Sequence, residues 1–197
     1  MKSFIVAISG ASGAIYGIRL VEELLKSAGT VHLCVSGTAF SIIRMETGID
    51  LLGKSELETE KKIRRHYASK KIRYYSETNL AAPIASGSFI ADGMFIVTCS
   101  MKTLSGIACG YADNLIARAA DVALKEGRCL LISPREMPFN AIHLENMLKL
   151  SRLGVKIAPP VPAFYHKPKD LDDIVDFVVG KILDTAGIEH TLFKRWG

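Results

Sequence analysis

Short, wholly apolar runs alternate along this chain with segments of helical periodicity, and the first run empties into a loop of small residues. Phe4 to Ser9 reads as a buried strand. Ser9-Gly10-Ala11-Ser12-Gly13-Ala14 follows it, and Ala14 to Ser27 places Ile18, Val21, Leu24 and Leu25 on one side of a helix. The pattern then repeats. Strands are expected at Thr30 to Ser36, Met94 to Thr98, Cys129 to Ser133 and Val155 to Ala158. Helices are expected at Gly37 to Thr47, Leu104 to Cys109, Asn114 to Lys125, Ile142 to Leu153 and Leu171 to Thr185. The polar stretch from Asp50 to Asn79 reads as a helix and then an edge strand around Ile72 to Tyr75. Alternation of this kind predicts an α/β fold: one doubly wound, mostly parallel sheet with helices on both faces. No linker or repeat divides the chain, so 1–197 is expected to be a single domain. Ligands of such sheets bind where the strands end, near the point at which the winding reverses.

Composition excludes several classes. Of the 197 residues 49% are hydrophobic and 23% charged, a globular balance without disorder. The apolar run after Met1-Lys2-Ser3 stops at Gly10, too soon for a signal peptide, and no stretch is long enough to span a bilayer. Cys34, Cys99, Cys109 and Cys129 lack CxxC spacing, and three lie in apolar runs. Buried thiols in a reducing, cytoplasmic setting are expected. The net charge of +5 owes much to Lys61, Lys62, Arg64, Arg65, Lys70, Lys71 and Arg73. A solvated helix face explains them better than a nucleic-acid patch, because no aromatic stacking motif accompanies them. The five histidines are dispersed, so no metal site is expected.

The first loop suits an anion. Gly10, Ala11 and Gly13 let the backbone approach a ligand, free amides at a helix start favour phosphate, and the Ser12 hydroxyl can donate to that anion or cap the helix. Walker A needs a Lys that is missing here. The dinucleotide fingerprint has the wrong glycine spacing, and the second strand ends in Ser36 rather than the acid an NAD ribose needs. Ser36 suits a mononucleotide phosphate or ribitol. The alternative is a capped turn without a ligand. A second loop, Cys99-Ser100-Met101-Lys102-Thr103, repeats the arrangement; FMN would fill the two, and a structural cap is again the alternative. Pro134-Arg135-Glu136 places a phosphate-binding cation and a proton-transfer carboxylate at a strand end, or simply a surface salt bridge. Lys125 is four residues after Asp121, an expected helical ion pair. Tyr165 follows a proline-stiffened loop and reads as a phosphate ligand or a packed aromatic. Lys181 is ordinarily a solvated lysine, and Trp196 a docking anchor or a lid on a flat ligand.

These residues together resemble the UbiX flavin prenyltransferase family. The resemblance rests on Gly10-Ala11-Ser12-Gly13-Ala14-Ile15-Tyr16-Gly17, Ala85-Ser86-Gly87-Ser88, Cys99 to Gly106, Arg118 to Glu126, Pro134-Arg135-Glu136, His143 to Met147, Pro162 to His166 and Arg195-Trp196, in that order. It covers the chain except roughly 48–79. It implies a Rossmann-like flavoprotein fold, and a homododecamer with reduced FMN between subunits. Gly10, Ala11, Ser12, Ser36, Ser100, Met101, Lys102, Thr103 and Arg135 would hold FMN. Lys125, Arg135, Tyr165 and Lys181 would hold dimethylallyl phosphate, and Ser12, Glu46 and Glu136 would assist the reaction. The family usually carries Arg where Lys181 stands, which keeps the charge but loses the bidentate fork. The implied product is prenylated FMN, passed to a UbiD-type decarboxylase. Two rivals are a flavin-dependent cysteine decarboxylase of related fold and a noncatalytic flavin carrier or decarboxylase accessory subunit. The first lacks its early His here, since none lies between Ser12 and Lys26. The second has no need of a cluster of cations beyond the flavin.

Overall fold

The computed structural model describes residues 2–195; Trp196, expected to anchor or cover, lies outside them. Six strands form one parallel sheet: β1 (Ser3–Ile8), β2 (Thr30–Val35), β3 (Ile72–Ser76), β4 (Gly93–Cys99), β5 (Leu130–Pro134) and β6 (Lys156–Ile157). Their spatial order is β3-β2-β1-β4-β5-β6. The winding therefore reverses between β1 and β4, and β3 lies at an edge as the sequence suggests. Among the described residues seven α-helices connect and cover the strands: α1 (Ala14–Ser27), α2 (Gly37–Thr47), α3 (Glu56–His66), α4 (Met101–Cys109), α5 (Leu115–Lys125), α6 (Ala141–Arg152) and α7 (Leu171–Thr185).

Strand alternation sorts the core into two layers. Phe4, Val6 and Ile8 point to the side covered by α1, α2 and α7, where they meet Ile18, Leu24 and Val178. Ile5 and Ala7 point to the side of α4, α5 and α6, with Ile96, Leu104 and Ile132. A strand buried on both faces reads as a continuous apolar run, which is why β1, β4 and β5 carry no polar alternation.

Helix starts follow local chemistry. Ser36, Ser100, Asn114, Asn140 and Asp170 each accept from the amide three residues on. Capping by Ser100 starts α4 at Met101 rather than at Leu104, where apolar periodicity first becomes visible. In α3 acids lead (Glu56, Glu58) and bases close (Arg64, Arg65, His66), matching the helix dipole. Arg64 pairs with Glu60 at 3.0 Å and donates to the Ile72 carbonyl. The cations of 61–73 are thus largely a helix end and its neighbouring strand.

Two expectations need correction. Only Cys34 and Cys99 are buried, whereas Cys109 and Cys129 are exposed. Cys109 is the last residue of α4 and Cys129 precedes β5, so both stand at element ends where the chain surfaces. Lys125 pairs with Glu126 instead of Asp121, which Arg118 takes at 2.6 Å.

Candidate functional site

Hydrogen bonds lace the strand ends at the switch point. The Ser9 amide donates to the Thr98 carbonyl at 3.0 Å, and the Ser100 amide donates to Ser9 Oγ at 2.8 Å. Thr98 Oγ1 donates to the Ala11 carbonyl at 2.9 Å. The loop after β1 is thereby fastened to the loop after β4. The Ser36 amide donates to the Ile8 carbonyl at 3.0 Å, and the Arg135 amide to the Cys99 carbonyl at 3.1 Å. These bonds bring Gly10–Gly13, Ser36, Ser100–Thr103 and Arg135 to one edge of the sheet. A Cβ on Gly10 would lie 2.9 Å from Thr38 Cγ2, so the first loop needs glycine to approach the start of α2.

The anion cradle expected at the start of α1 is taken by the chain itself. Glu46, in the last turn of α2, accepts from the Gly13 amide at 3.0 Å and from the Ala14 amide at 2.9 Å. Ser12 does not cap the helix: its N-cap is Gly13, at φ 88°. At the start of α2, Glu77 accepts from the Gly37 amide at 2.6 Å, and Ser36 Oγ from Ala39. At α4, Ser100 Oγ accepts from the Thr103 amide at 3.3 Å and lies 3.1 Å from Thr103 Oγ1. Among the described residues the Met101 and Lys102 amides have no acceptor, as expected for a first helical turn. The first turn of α4 therefore offers a phosphate what the first turn of α1 does not. Beside it, α4 and α5 border a cleft of about 300 Å³ lined by Lys102, Thr103, Gly106, Tyr111 and Asn114.

Two residues gain meaning only from the structure. Tyr16, in the first turn of α1, has its phenol pKa raised by burial, with the nearby Arg135 charge pulling the other way. Gly17 packs α1 directly on β4: a Cβ there would fall 2.2 Å from the Val97 carbonyl oxygen. Both were visible in sequence only as members of the Gly10–Gly17 string.

The expected phosphate ligands divide into separate groups. Arg135 and Glu136 are exposed after β5, where Glu136 Oε1 accepts from the Met137 amide at 3.0 Å. Lys125 ends α5, at the opposite edge of the sheet. The five residues of β5 separate the two edges by roughly 17 Å, at about 3.3 Å per residue. Tyr165 packs edge-on against Phe177 of α7, with ring centroids 5.5 Å apart, and Lys181 follows one turn later. Helix α7 runs beside α1, joined by Arg19 Nε to Asp176 Oδ1 at 2.6 Å, and carries Lys181 further from the switch point. One chain thus assembles the flavin-side residues, leaves Lys125 at the opposite edge, and sets Tyr165 against α7 with Lys181 a turn further along that helix. Among the described residues, no group of three or more His, Cys, Asp or Glu side chains is placed to hold a metal ion. No described helix is long and apolar enough to cross a membrane.

Comparison with known proteins bears on this geometry. The model of the flavoprotein family matches residues 1–183. The flavin prenyltransferase UbiX of Methanocaldococcus jannaschii is 52% identical over 98% of this chain and 97% of its own. The solved structure of AnUbiX in complex with FMN and dimethylallyl pyrophosphate superposes with a TM-score of 0.88 at 40% identity, covering 100% of this chain and 97% of that one. A dodecameric FMN-dependent UbiX-like decarboxylase from Escherichia coli O157:H7 gives 0.86 at 45% identity, covering 99% of both chains.

Proposed function

The chain belongs to the UbiX family of flavin prenyltransferases, and from that premise we propose that it transfers a dimethylallyl group from dimethylallyl monophosphate to N5 and C6 of reduced FMN. The observation that carries the reading is the convergence of Gly10–Gly13, Ser36, Ser100–Thr103 and Arg135 on one sheet edge. The residues present fit FMN: Gly10 leaves backbone accessible, three hydroxyls face the edge, and two amides of α4 await an acceptor. Its phosphate belongs on Met101 and Lys102, with Ser100 and Thr103 beside it and Ala11, Ser12 and Ser36 along the ribitol. When bound, the reduced flavin supplies the nucleophile and a π face that favours an allylic cation.

The chain's own residues manage charge and protons. Breaking the allylic C–O bond leaves phosphate, whose charge Arg135, Lys125 and Lys181 balance and to which the Tyr165 phenol donates, without a metal. Ring closure at C6 would need one proton delivered to the prenyl double bond and one removed from C6, and Glu136, assisted by Ser12, or the departing phosphate would carry out both transfers. Glu46 holds the loop that carries Ser12. These cations stand apart in one chain, so the complete site draws on neighbouring subunits. A homododecamer with FMN between subunits fits this division, and the E. coli relative is dodecameric. The continuous sheet is consistent with 1–197 acting as one flavoprotein domain. Free cysteines suit a cytoplasmic setting. The prenylated FMN passes to a UbiD-type decarboxylase. The flavin-dependent cysteine decarboxylase and the passive carrier are less well supported than prenyl transfer.

The test is single-turnover absorbance of the bound reduced flavin after addition of dimethylallyl phosphate. The flavin spectrum should change in wild type. Glu136→Gln should bind FMN and donor normally while slowing the spectral change. An unchanged wild-type spectrum would refute the reading, and a wild-type rate in Glu136→Gln would remove that residue from it.

A further inference from the structure

Helix α7 and the chain after it are fastened together around one carboxylate. Gly180 makes room for the returning segment: a Cβ there would lie 2.4 Å from Phe193 Cε1 and 2.6 Å from His190 Cε1. Phe193 packs against Phe177 at 5.0 Å between centroids, and Phe177 also carries Tyr165. The His190 side chain is only 1% exposed. Its Nδ1 accepts from the Leu192 amide at 3.2 Å, which puts the ring proton on Nε2, facing Asp184 Oδ1 at 3.2 Å. Arg195 Nη2 donates to the same oxygen at 2.7 Å. Lys181 Nζ stands 3.7 Å from Asp184 Oδ2. Burial alone would raise the Asp184 pKa, but Arg195 and His190 more than offset this and hold it below the usual carboxylate range.

We propose that Asp184 is a positioning residue that gathers Lys181 and Arg195 into a paired grip for the phosphate of the prenyl donor. This rests on the reading of Lys181 as a phosphate ligand. A lone lysine is a flexible, strongly hydrated point charge, and ordering it on binding is unfavourable. A carboxylate on the next turn restrains it beforehand. The 3.7 Å separation is longer than an ordinary ammonium–carboxylate hydrogen bond, so the ammonium keeps its donors for a ligand. Arg195 donates to Asp184 through Nη2, which leaves the rest of its fork free beside Lys181. Two cations on one carboxylate leave a net positive charge at the helix surface, and a phosphate complements it. The latch of Gly180, His190 and Phe193 keeps Arg195 within reach.

The test titrates dimethylallyl phosphate into the FMN-loaded protein carrying Asp184→Asn, Asp184→Glu, Arg195→Gln or Lys181→Ala. Asp184→Asn and Arg195→Gln should each weaken donor binding by about tenfold, the scale of one charge-assisted contact, with FMN affinity close to wild type. Asp184→Glu should recover much of the loss. The Asp184→Asn, Arg195→Gln double variant should lose less than the sum, because one residue acts through the other. A purely structural carboxylate would lower the melting temperature of Asp184→Asn and leave donor affinity unchanged, which overturns the inference. If Lys181→Ala weakens donor binding and Asp184→Asn does not, the inference alone fails. If Lys181→Ala binds donor like wild type, the phosphate assignment of Lys181 fails with it.

Discussion

Glu46 closes the amino terminus of α1 by accepting from the amide of Gly13, with the Ala14 amide at 2.9 Å beside it. A carboxylate on those amides does what a bound anion would do, since the helix dipole favours negative charge there. It ties the end of α2 to the loop that carries Ser12, and it redirects a phosphate to α4.

Replacing Glu46 by Gln should therefore act on stability first. The neutral amide keeps one acceptor but loses its charge, and a lost cap costs about 0.5–2 kcal/mol. Urea denaturation should show that loss. FMN affinity should stay near wild type if the phosphate sits on the Met101 and Lys102 amides. A tenfold gain in FMN affinity would place the phosphate on α1 instead, in competition with Glu46.

Gly17→Ala tests the contact that seats α1 on the sheet. Alanine would gain about 0.5–1 kcal/mol of intrinsic helix preference. Its Cβ, however, would lie 2.2 Å from the Val97 carbonyl oxygen and 2.8 Å from Ile8 Cδ1. Overpacking of this kind costs about 1–3 kcal/mol, so a net loss is expected in the denaturation midpoint, together with weaker FMN binding as the first loop shifts. Wild-type or greater stability would contradict the close packing.

Much of this architecture is legible in the sequence because its signals are local. The helical spacing of Ile18, Val21 and Leu24 marks α1, and Ser100 and Asn140 announce helix starts. Runs such as Met94 to Thr98 are apolar because both faces of the sheet are covered. The site is less legible, because its decisive contacts join distant residues. Nothing near Glu46 says that it reaches Gly13. Asp121, four residues before Lys125, looks like its partner until Arg118 takes it. The chain order of Lys125 and Arg135 conceals that β5 lies between them, with the two at opposite sheet edges. Gly17 belongs to a recognisable string, yet only the fold shows the carbonyl it must clear.

His32 gives a pH dependence of stability. It is buried in β2, with Nδ1 3.1 Å from the Tyr75 hydroxyl and its ring edge-on to Phe89. Burial, reinforced by the Arg73 charge, lowers its pKa to about 4. An unfolded histidine titrates near about 6.5, so the unfolded chain binds the proton first as pH falls. The stability due to neutral His32 is full above about pH 6.5 and is lost progressively as pH falls towards 4. Melts at several pH values should show wild type losing more stability on acidification than His32→Gln, which cannot titrate there. Parallel pH curves for the two proteins would show that folding does not lower the His32 pKa.

The central claim is that this chain makes prenylated FMN. Its most direct test is mass spectrometry of the flavin recovered after anaerobic incubation of the protein with reduced FMN and dimethylallyl phosphate in excess chelator. The account predicts an FMN heavier by one isoprene unit, formed as fast with chelator as without. Recovery of unmodified FMN alone would contradict the claim, and product that appears only when magnesium is restored would contradict phosphate activation by the chain's own cations.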